Sequence, residues 1–455
     1  KHNLMEGPFA FIGHNSGISG DLGLNWQINE NHSLGMKMNY GGMLFGNQDI
    51  VFEDNVYAND ELIDIVHSAS HTTTPSSHTF TGNIYYDGNI NKLHVNFNAD
   101  FSDSGYKKET NVNENSQNDP AFIENLSDGV ARMGAGKLVL SYPIWKGMFK
   151  IGTEETYVSA KQEYNSTKTE IPSSKAKIAE NNISGFAEYA LPFKYVQVVA
   201  GIRYEHVNFE YTNECSPKDN ISRTHNNWFP SFNASTKIGP VGINLGYTTK
   251  IKRPRYDQLS TEMQYNNRFL YQTGDPTLLN EIQNTLSLNA NWRWLTLTGA
   301  YEVVDNAIYQ LGYPYDDDCT AMVKYSNAKE TVRKLNIYLN ASPTIGIWNP
   351  RYTVGMEKQY FETTVIDPRE STGTRVVKRN DPMFFVQANN SFKLKQGWLI
   401  DLDYQYTSPF DYVMYKFTKP KHGLNLAVSK SFLKHDALNV RLAWNDILNK
   451  TKEHV

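Results

Sequence analysis

The sequence predicts an all-β fold, a large antiparallel transmembrane β-barrel, and three observations predict it. Long stretches alternate apolar and polar residues with period two, as strands with one apolar and one polar face do. Short turns alternate with long polar connections, which sorts loop length to opposite ends. Membrane barrels are built that way, and a soluble sandwich or propeller has no reason to be. Aromatic residues cluster beside the short turns, where their amphipathic rings suit the headgroup level.

Composition agrees. The 455 residues suffice for one large barrel or for two or three soluble domains. Mean hydropathy is −0.54. No run of about 18 apolar residues offers a transmembrane helix. Low hydropathy does not argue against a barrel, whose strands give only alternate residues to lipid. Aromatics make up 13%, with 28 Tyr and 8 Trp. The net charge of −4 gives no argument for nucleic acid. Cys215 and Cys319 are too few for a disulfide framework. No leader segment is present at Lys1, so the chain reads as a mature product or a fragment.

Taken in order, Leu22, Leu24, Trp26 and Ile28 form one apolar face, and Leu34, Met36, Met38 and Tyr40 return after the Glu30-Asn31 turn. Residues 42–77 read as a long polar loop. Residues 79–87 pair with 93–101, where Leu93, Val95, Phe97, Ala99 and Phe101 alternate cleanly. Residues 105–128 read as a second loop. Leu138, Leu140 and Tyr142 lead through Trp145-Lys146-Gly147 to Phe149, Ile151 and Tyr157, and residues 163–180 read as a third loop. Residues 182–190 pair with 195–211 around Leu191–Lys194. A loop carrying Cys215 follows.

The clearest pattern lies in residues 228–311. Phe232, Ala234, Thr236 and Ile238 turn at Gly239-Pro240 into Val241, Ile243, Leu245 and Tyr247. After a polar loop of roughly thirty residues, Leu286, Leu288, Ala290 and Trp292 turn into Leu295, Leu297, Gly299 and Tyr301. Beyond the loop at 312–327, Leu335–Ala341 pairs with Tyr352–Met356. Residues 362–381 read as loop. Phe384–Phe392 then pairs with Trp398–Tyr406, and Leu424–Val428 with Leu438–Trp444. The strand count is about eighteen, at about nine to fifteen residues each, against about nine to eleven for a tilted membrane-crossing strand. Trp26, Tyr142, Trp145, Phe193, Tyr195, Trp292, Trp294, Trp348, Trp398 and Phe432 sit beside the short turns and read as one aromatic girdle.

Several residues resemble a known family. Arg253-Pro254, Tyr256 and Leu259, then Gly274-Asp275-Pro276, Leu278 and Glu281, resemble a paired motif of TonB-dependent outer-membrane receptors. Trp228-Phe229-Pro230-Ser231 is similar to a strand start of that family, and Asn445–Asn449 to a segment near the barrel's end. The branch it resembles is the Bacteroidota-type outer-membrane β-barrel family. Asp275 stands where Asn is usual and Asn280 where Pro is usual. The resemblance implies a barrel of 22 strands, so the chain reads as a barrel incomplete at both ends, with neither plug domain nor final strand. It implies TonB-energised uptake of a large scarce nutrient (an iron chelate, glycan or peptide) across the outer membrane of a Gram-negative bacterium. The implied partners are outer-membrane lipid, a plug domain of the same gene product, a TonB-type inner-membrane energy complex and a surface lipoprotein. Two other readings are a passive 18-stranded porin and a soluble β-rich glycan-binding protein.

Gly274-Asp275-Pro276 is a turn signal, and with Arg253, Pro254 and Glu281 it reads as structural, seating the loop before the next strand. Tyr256, Tyr265, Arg268, Phe269 and Tyr271 could form a stacking platform for a sugar or another planar ligand, or could pack loop against loop. Tyr313, Tyr315, Tyr412 and Tyr415 carry the same two readings. Asp316–Asp318 could hold a hard cation, but no Gly or distal Glu stands at calcium-loop spacing. His67, His71 and His78 lie in a Ser/Thr/Pro-rich stretch that does not read as a metal-binding helix. Cys215 and Cys319 fall in two expected extracellular loops, an oxidising location where a bridge could form, but their separation in sequence says nothing of proximity. No catalytic motif, metal site or cofactor is predicted. Asn244, Asn289, Arg203, Asp401 and Asp403 are expected on the polar inner wall.

Overall fold

The computed structural model describes residues 3–6, 9–58, 61–116, 120–315, 321–366, 370, 372–413, 415–433 and 437–450. The long strands are β1 (Phe9–Asn29), β2 (His32–Ala58), β3 (Glu61–Ile90), β4 (Leu93–Asn115), β5 (Ala121–Ile144) and β6 (Gly147–Ser166). Then come β7 (Ser174–Pro192), β8 (Val196–Asn213), β9 (Ile221–Ile238), β10 (Val241–Lys252), β11 (Glu281–Trp292) and β12 (Leu295–Asp305). The last are β13 (Val332–Ala341), β14 (Trp348–Ile366), β15 (Met383–Lys393), β16 (Trp398–Thr407), β17 (Lys421–Phe432) and β18 (Leu438–Trp444).

Each strand pairs antiparallel with its neighbour in the chain, from β1 with β2 through β17 with β18. Among the described residues no pairing joins β1 to β18, so a hydrogen-bonded closure of the ring is not among the observed pairings. Among the described residues no helix is long and apolar enough to cross a membrane.

Register fixes the two faces. Phe232 lies opposite Tyr247, Tyr247 opposite Leu286, and Leu286 opposite Tyr301, so one apolar row crosses β9 to β12 without a slip. A one-residue shift would turn that row to the other face. The outward rows are exposed: Leu22, Leu24, Ile202, Leu288 and Val354 all meet the surroundings. The inward rows are polar and bonded across strands. Asn233 and Asn244 exchange amide hydrogen bonds at 3.1 and 3.0 Å, and the Asn289 amide donates to Thr298 Oγ1 at 3.0 Å. Ser391 Oγ donates to Asp401 at 2.8 Å. The girdle aromatics at the short turns are outward and exposed, except Trp348. That ring is half-buried, stacks on Phe392 and donates its Nε1–H to Asn390.

The short turns are tight, as in β9–Gly239-Pro240–β10, where Gly239 takes φ +57°. The opposite end departs from expectation. Among the described residues the stretches at 42–77, 105–128 and 163–180 are mostly strand; in the third, residues 167–173 form the connection between β6 and β7. β2 and β3 run 27 and 30 residues, and β4 to β7 run 19 to 24, far beyond the expected nine to fifteen. The projecting hairpins keep their strand pairing after the lipid-facing apolar alternation has faded. The segment at 312–327 is likewise mostly strand, and 362–381 contains the end of β14 and a short strand, Thr374–Arg379, paired to it.

Candidate functional site

The connections β10–β11 and β12–β13 are folded, not open. The first contains a single helical turn, Tyr256–Leu259, and two short strands, Met263–Asn267 and Leu270–Thr273. The second contributes Ile308–Pro314 and Ala321–Asn327. Together they make a four-stranded sheet in which Leu270–Thr273 runs parallel to Ala321–Asn327.

The family-like motif residues hold this assembly. A Cβ on Gly274 would come within 2.4 Å of the carbonyl oxygens of Gln258 and Ser260, so only glycine lets the chain pass the helical turn. The Gly274 and Asp275 amides donate to those same two carbonyls at 2.9 and 2.6 Å. Asp275 accepts from the Thr277 amide at 2.9 Å and pairs with Lys324 of the second connection at 3.0 Å. Glu281 accepts the Ile308 amide at 2.6 Å and pairs with Lys252 at 3.0 Å. Pro254 is buried beside Arg253. Arg253 Nη2 meets Glu205 at 2.7 Å on the inner wall, where Arg203 bridges Glu205 and Glu154 at 2.8 and 3.3 Å.

The loop sheet then docks on the inner face of the projecting hairpins. Leu259 and Leu278 pack with Ala160, Ala176, Ile178, Phe209 and Tyr211, drawn from β6 to β8. Tyr265 and Tyr271 pack with Val112 of β4, Ile123 of β5, Tyr164 of β6 and Ile171 just beyond it. A charged clamp sits at the edge of that contact. Glu114 of β4 is 1% exposed. It accepts the Tyr265 hydroxyl at 2.8 Å, the Arg268 amide at 2.9 Å and Arg268 Nε–H at 3.2 Å. A buried carboxylate needs this complement of donors, and would be costly without it.

Beside the clamp lies a cleft of about 450 Å³ between the loop sheet and β2 to β6. Tyr106, Lys108 and Thr110 of β4, Asn125 of β5, Tyr164 and Thr72 line the wall side, and Glu262, Gln264 and Tyr265 the loop side. Glu262 is 7% exposed. Burial pushes its carboxyl up to about 7, against the opposing pull of the Gln264 amide and Lys108. Burial, then Glu114, also pushes the Tyr265 phenol upward.

The five residues predicted as a ligand platform therefore separate. Tyr265, Arg268 and Tyr271 gather at Glu114, with Tyr265 facing the cleft and Tyr271 packed 5.5 Å from it and 5.3 Å from Tyr315. Phe269 carries the turn between the two short strands, its amide bonded to Asn267 and its carbonyl to the Ala321 amide. Tyr256 goes to the other cluster, against Leu259 and Phe209. Tyr313 bonds Ser326, while Tyr412 and Tyr415 pair in a separate exposed hairpin. His67, His71 and His78 each sit on β3 beside a different carboxylate, Glu53, Asp49 and Asp103. Cys215 is exposed, with its thiol free among the described residues; Cys319 and Asp316–Asp318 lie outside them, and so does the bridge. Glu114, Glu262, Lys108, Tyr106 and Tyr164 were not singled out from the sequence. The signal that could have found Tyr106, Lys108 and Glu114 is the alternation Tyr106, Lys108, Thr110, Val112, Glu114, which runs on from β4's membrane segment; nothing comparable marks Tyr164 or Glu262.

Lipid-facing apolar rows, a polar inner wall and a loop sheet packed into the mouth define a transmembrane barrel of the outer-membrane kind. The chain belongs to the outer membrane protein beta-barrel family, whose profile matches residues 86–455. Its place is therefore the outer membrane. Among curated proteins none matches the sequence. Several solved structures share its fold. The copper transporter OprC superposes with TM-score 0.65 at 11% identity, covering 100% of this chain and 76% of that one. The FrpB iron transporter from Neisseria meningitidis (F5-1 variant) gives 0.55 at 11%, covering 97% and 77%. The siderophore receptor PirA from Pseudomonas aeruginosa gives 0.53 at 13%, covering 98% and 77%. These are described as transporters and receptors, and none as an enzyme.

Proposed function

We propose that this barrel belongs to a receptor that takes up one large, scarce nutrient across the outer membrane, driven by a TonB-type inner-membrane complex. The cargo class is an iron chelate, a glycan or a peptide. In this reading a plug domain of the same gene product occupies the lumen, and further strands complete the ring. Among the described residues β1 and β18 each have one edge without a partner strand, which supports that last point, because bare backbone groups are costly in lipid.

The observation that carries the proposal is the loop sheet folded into the mouth and clamped to the wall at Glu114. A passive pore works through a clear lumen. Here a loop sheet covers part of the inner wall, and a tyrosine-lined polar cleft of about 450 Å³ is left beside it, within the usual range of small-ligand pockets. Tyr265 faces the ligand, and Arg268, Phe269, Tyr271 and Tyr256 form the scaffold that presents it. Arg203, Asn244, Asn289, Asp401 and Asp403 line the path below.

The test is planar-bilayer conductance of the full-length protein together with nutrient-dependent growth with and without the TonB-type complex. A silent bilayer and growth that fails without the complex are expected. Steady open conductance with growth independent of the complex would overturn the proposal in favour of a passive porin.

A further inference from the structure

The short-turn rim carries cations laid over outward aromatic rings. Lys146 Nζ lies 5.8 Å from the centre of Trp145, and Lys194 Nζ 5.0 Å from Tyr195. The Arg293 guanidinium lies 5.4 Å from Trp292, and Lys430 Nζ 5.2 Å from Trp398. The rings are open to the surroundings: Trp145 and Tyr195 are 78% and 71% exposed. Among the described residues none of these four cations has a carboxylate within ion-pair reach, and Lys430 also donates to the Gln396 carbonyl. On the inner wall, by contrast, Lys137, Arg203 and Arg253 are all paired. Lys92 and Lys395 add positive charge in the turns of the same rim, where Glu30 is the only carboxylate among the described residues.

The backbone points the same way. Trp145 and Arg293 occupy turn positions with φ of 53° and 52°, a conformation that Gly or Asn adopts with less strain. A bulky aromatic and a cation stand there instead. An ammonium beside a ring at headgroup depth has one natural counterpart: a lipid whose acyl chain lies on the ring and whose phosphate meets the cation.

We propose that this rim is a belt of sites for the phosphate of anionic phospholipid headgroups, of the phosphatidylglycerol type, in the leaflet facing the short turns. The belt does not depend on what the barrel transports.

The test is native mass spectrometry of the full-length protein released from bilayers of equal phosphatidylglycerol and phosphatidylcholine content. Wild type retains phosphatidylglycerol in preference by about fivefold or more, and high salt erodes the preference. The variant K146Q/K194Q/R293Q/K430Q retains both lipids equally, with its β-sheet spectrum unchanged. Should that variant fail to fold, single Lys146→Gln and Lys194→Gln changes at exposed turns each lower the preference in part. Equal retention by wild type overturns the proposal. So does a preference that survives the substitutions, or binding of polyglutamate by the rim without any lipid preference.

Discussion

The end of the barrel opposite the tight turns is built in two different ways. On one side β2 to β8 simply continue upward as hairpins, with strands of 18 to 30 residues. On the other side β10 to β13 stop at 10 to 12 residues, and their connections fold into a separate small sheet. Neither is finished alone. The hairpins carry inward-facing Val112, Ile178, Phe209 and Tyr211, which are almost fully buried only because the loop sheet covers them. The lesson is that an apolar patch high on a barrel wall, above the lipid zone, marks the place where a loop from another part of the ring must land.

The difference can be broken at its hardest point first. Glu114→Ala leaves Arg268 and the Tyr265 hydroxyl without their buried partner, at a cost of about 3–5 kcal/mol in loop docking. Hydrogen exchange over residues 263–273 should rise sharply while the membrane strands stay protected.

The second break is electrostatic. The Glu262 carboxyl is held at about 7 when docked, against 4.5 in its ordinary state, so the docked loop holds a proton that the undocked loop releases. Docking therefore has its full strength below about pH 4.5 and weakens as pH rises towards 7, by roughly 3 kcal/mol in all. Exchange of the same residues, corrected for intrinsic rate, should quicken across that window. Glu262→Gln should flatten the dependence.

Leu278→Ala opens a hole in the cluster against Phe209 and Tyr211, where Leu278 is 1% exposed, and costs about 2–3 kcal/mol. Proteolytic nicking between residues 260 and 280 reports it. At the small end, Arg255→Ala removes an exposed pair with Asp257 and changes the same readout by less than about 0.5 kcal/mol.

The sequence announces the lower half of the molecule far better than the upper. Lipid imposes a strict choice on alternate residues, so Phe232, Tyr247, Leu286 and Tyr301 could be placed on one face, and their register agrees. Water imposes no such choice. Residues 42–77 and 105–128 read as loops because they are rich in Asn, Ser, Thr and charged residues, although Thr, Val and Tyr still favour strand. The cleft was illegible for another reason. Tyr265 and Glu114 are 151 residues apart, and nothing local to either says that they meet. The motif around Gly274 could be recognised as a unit because its contacts are short in sequence: Gln258 and Ser260 lie on the same connection.

That separation also sets an order of events in time. Among the described residues every long strand pairs with its immediate predecessor or successor, so the wall can grow hairpin by hairpin with little loop entropy to overcome at each step. The bonds from Glu114 to Tyr265 and Arg268 cannot form until the strands from β4 to β10 are in place. The clamp thus closes only after the stretch of wall it spans has formed. A refolding experiment should find the tyrosine cluster packing in a separate slow phase, after the sheet signal is complete.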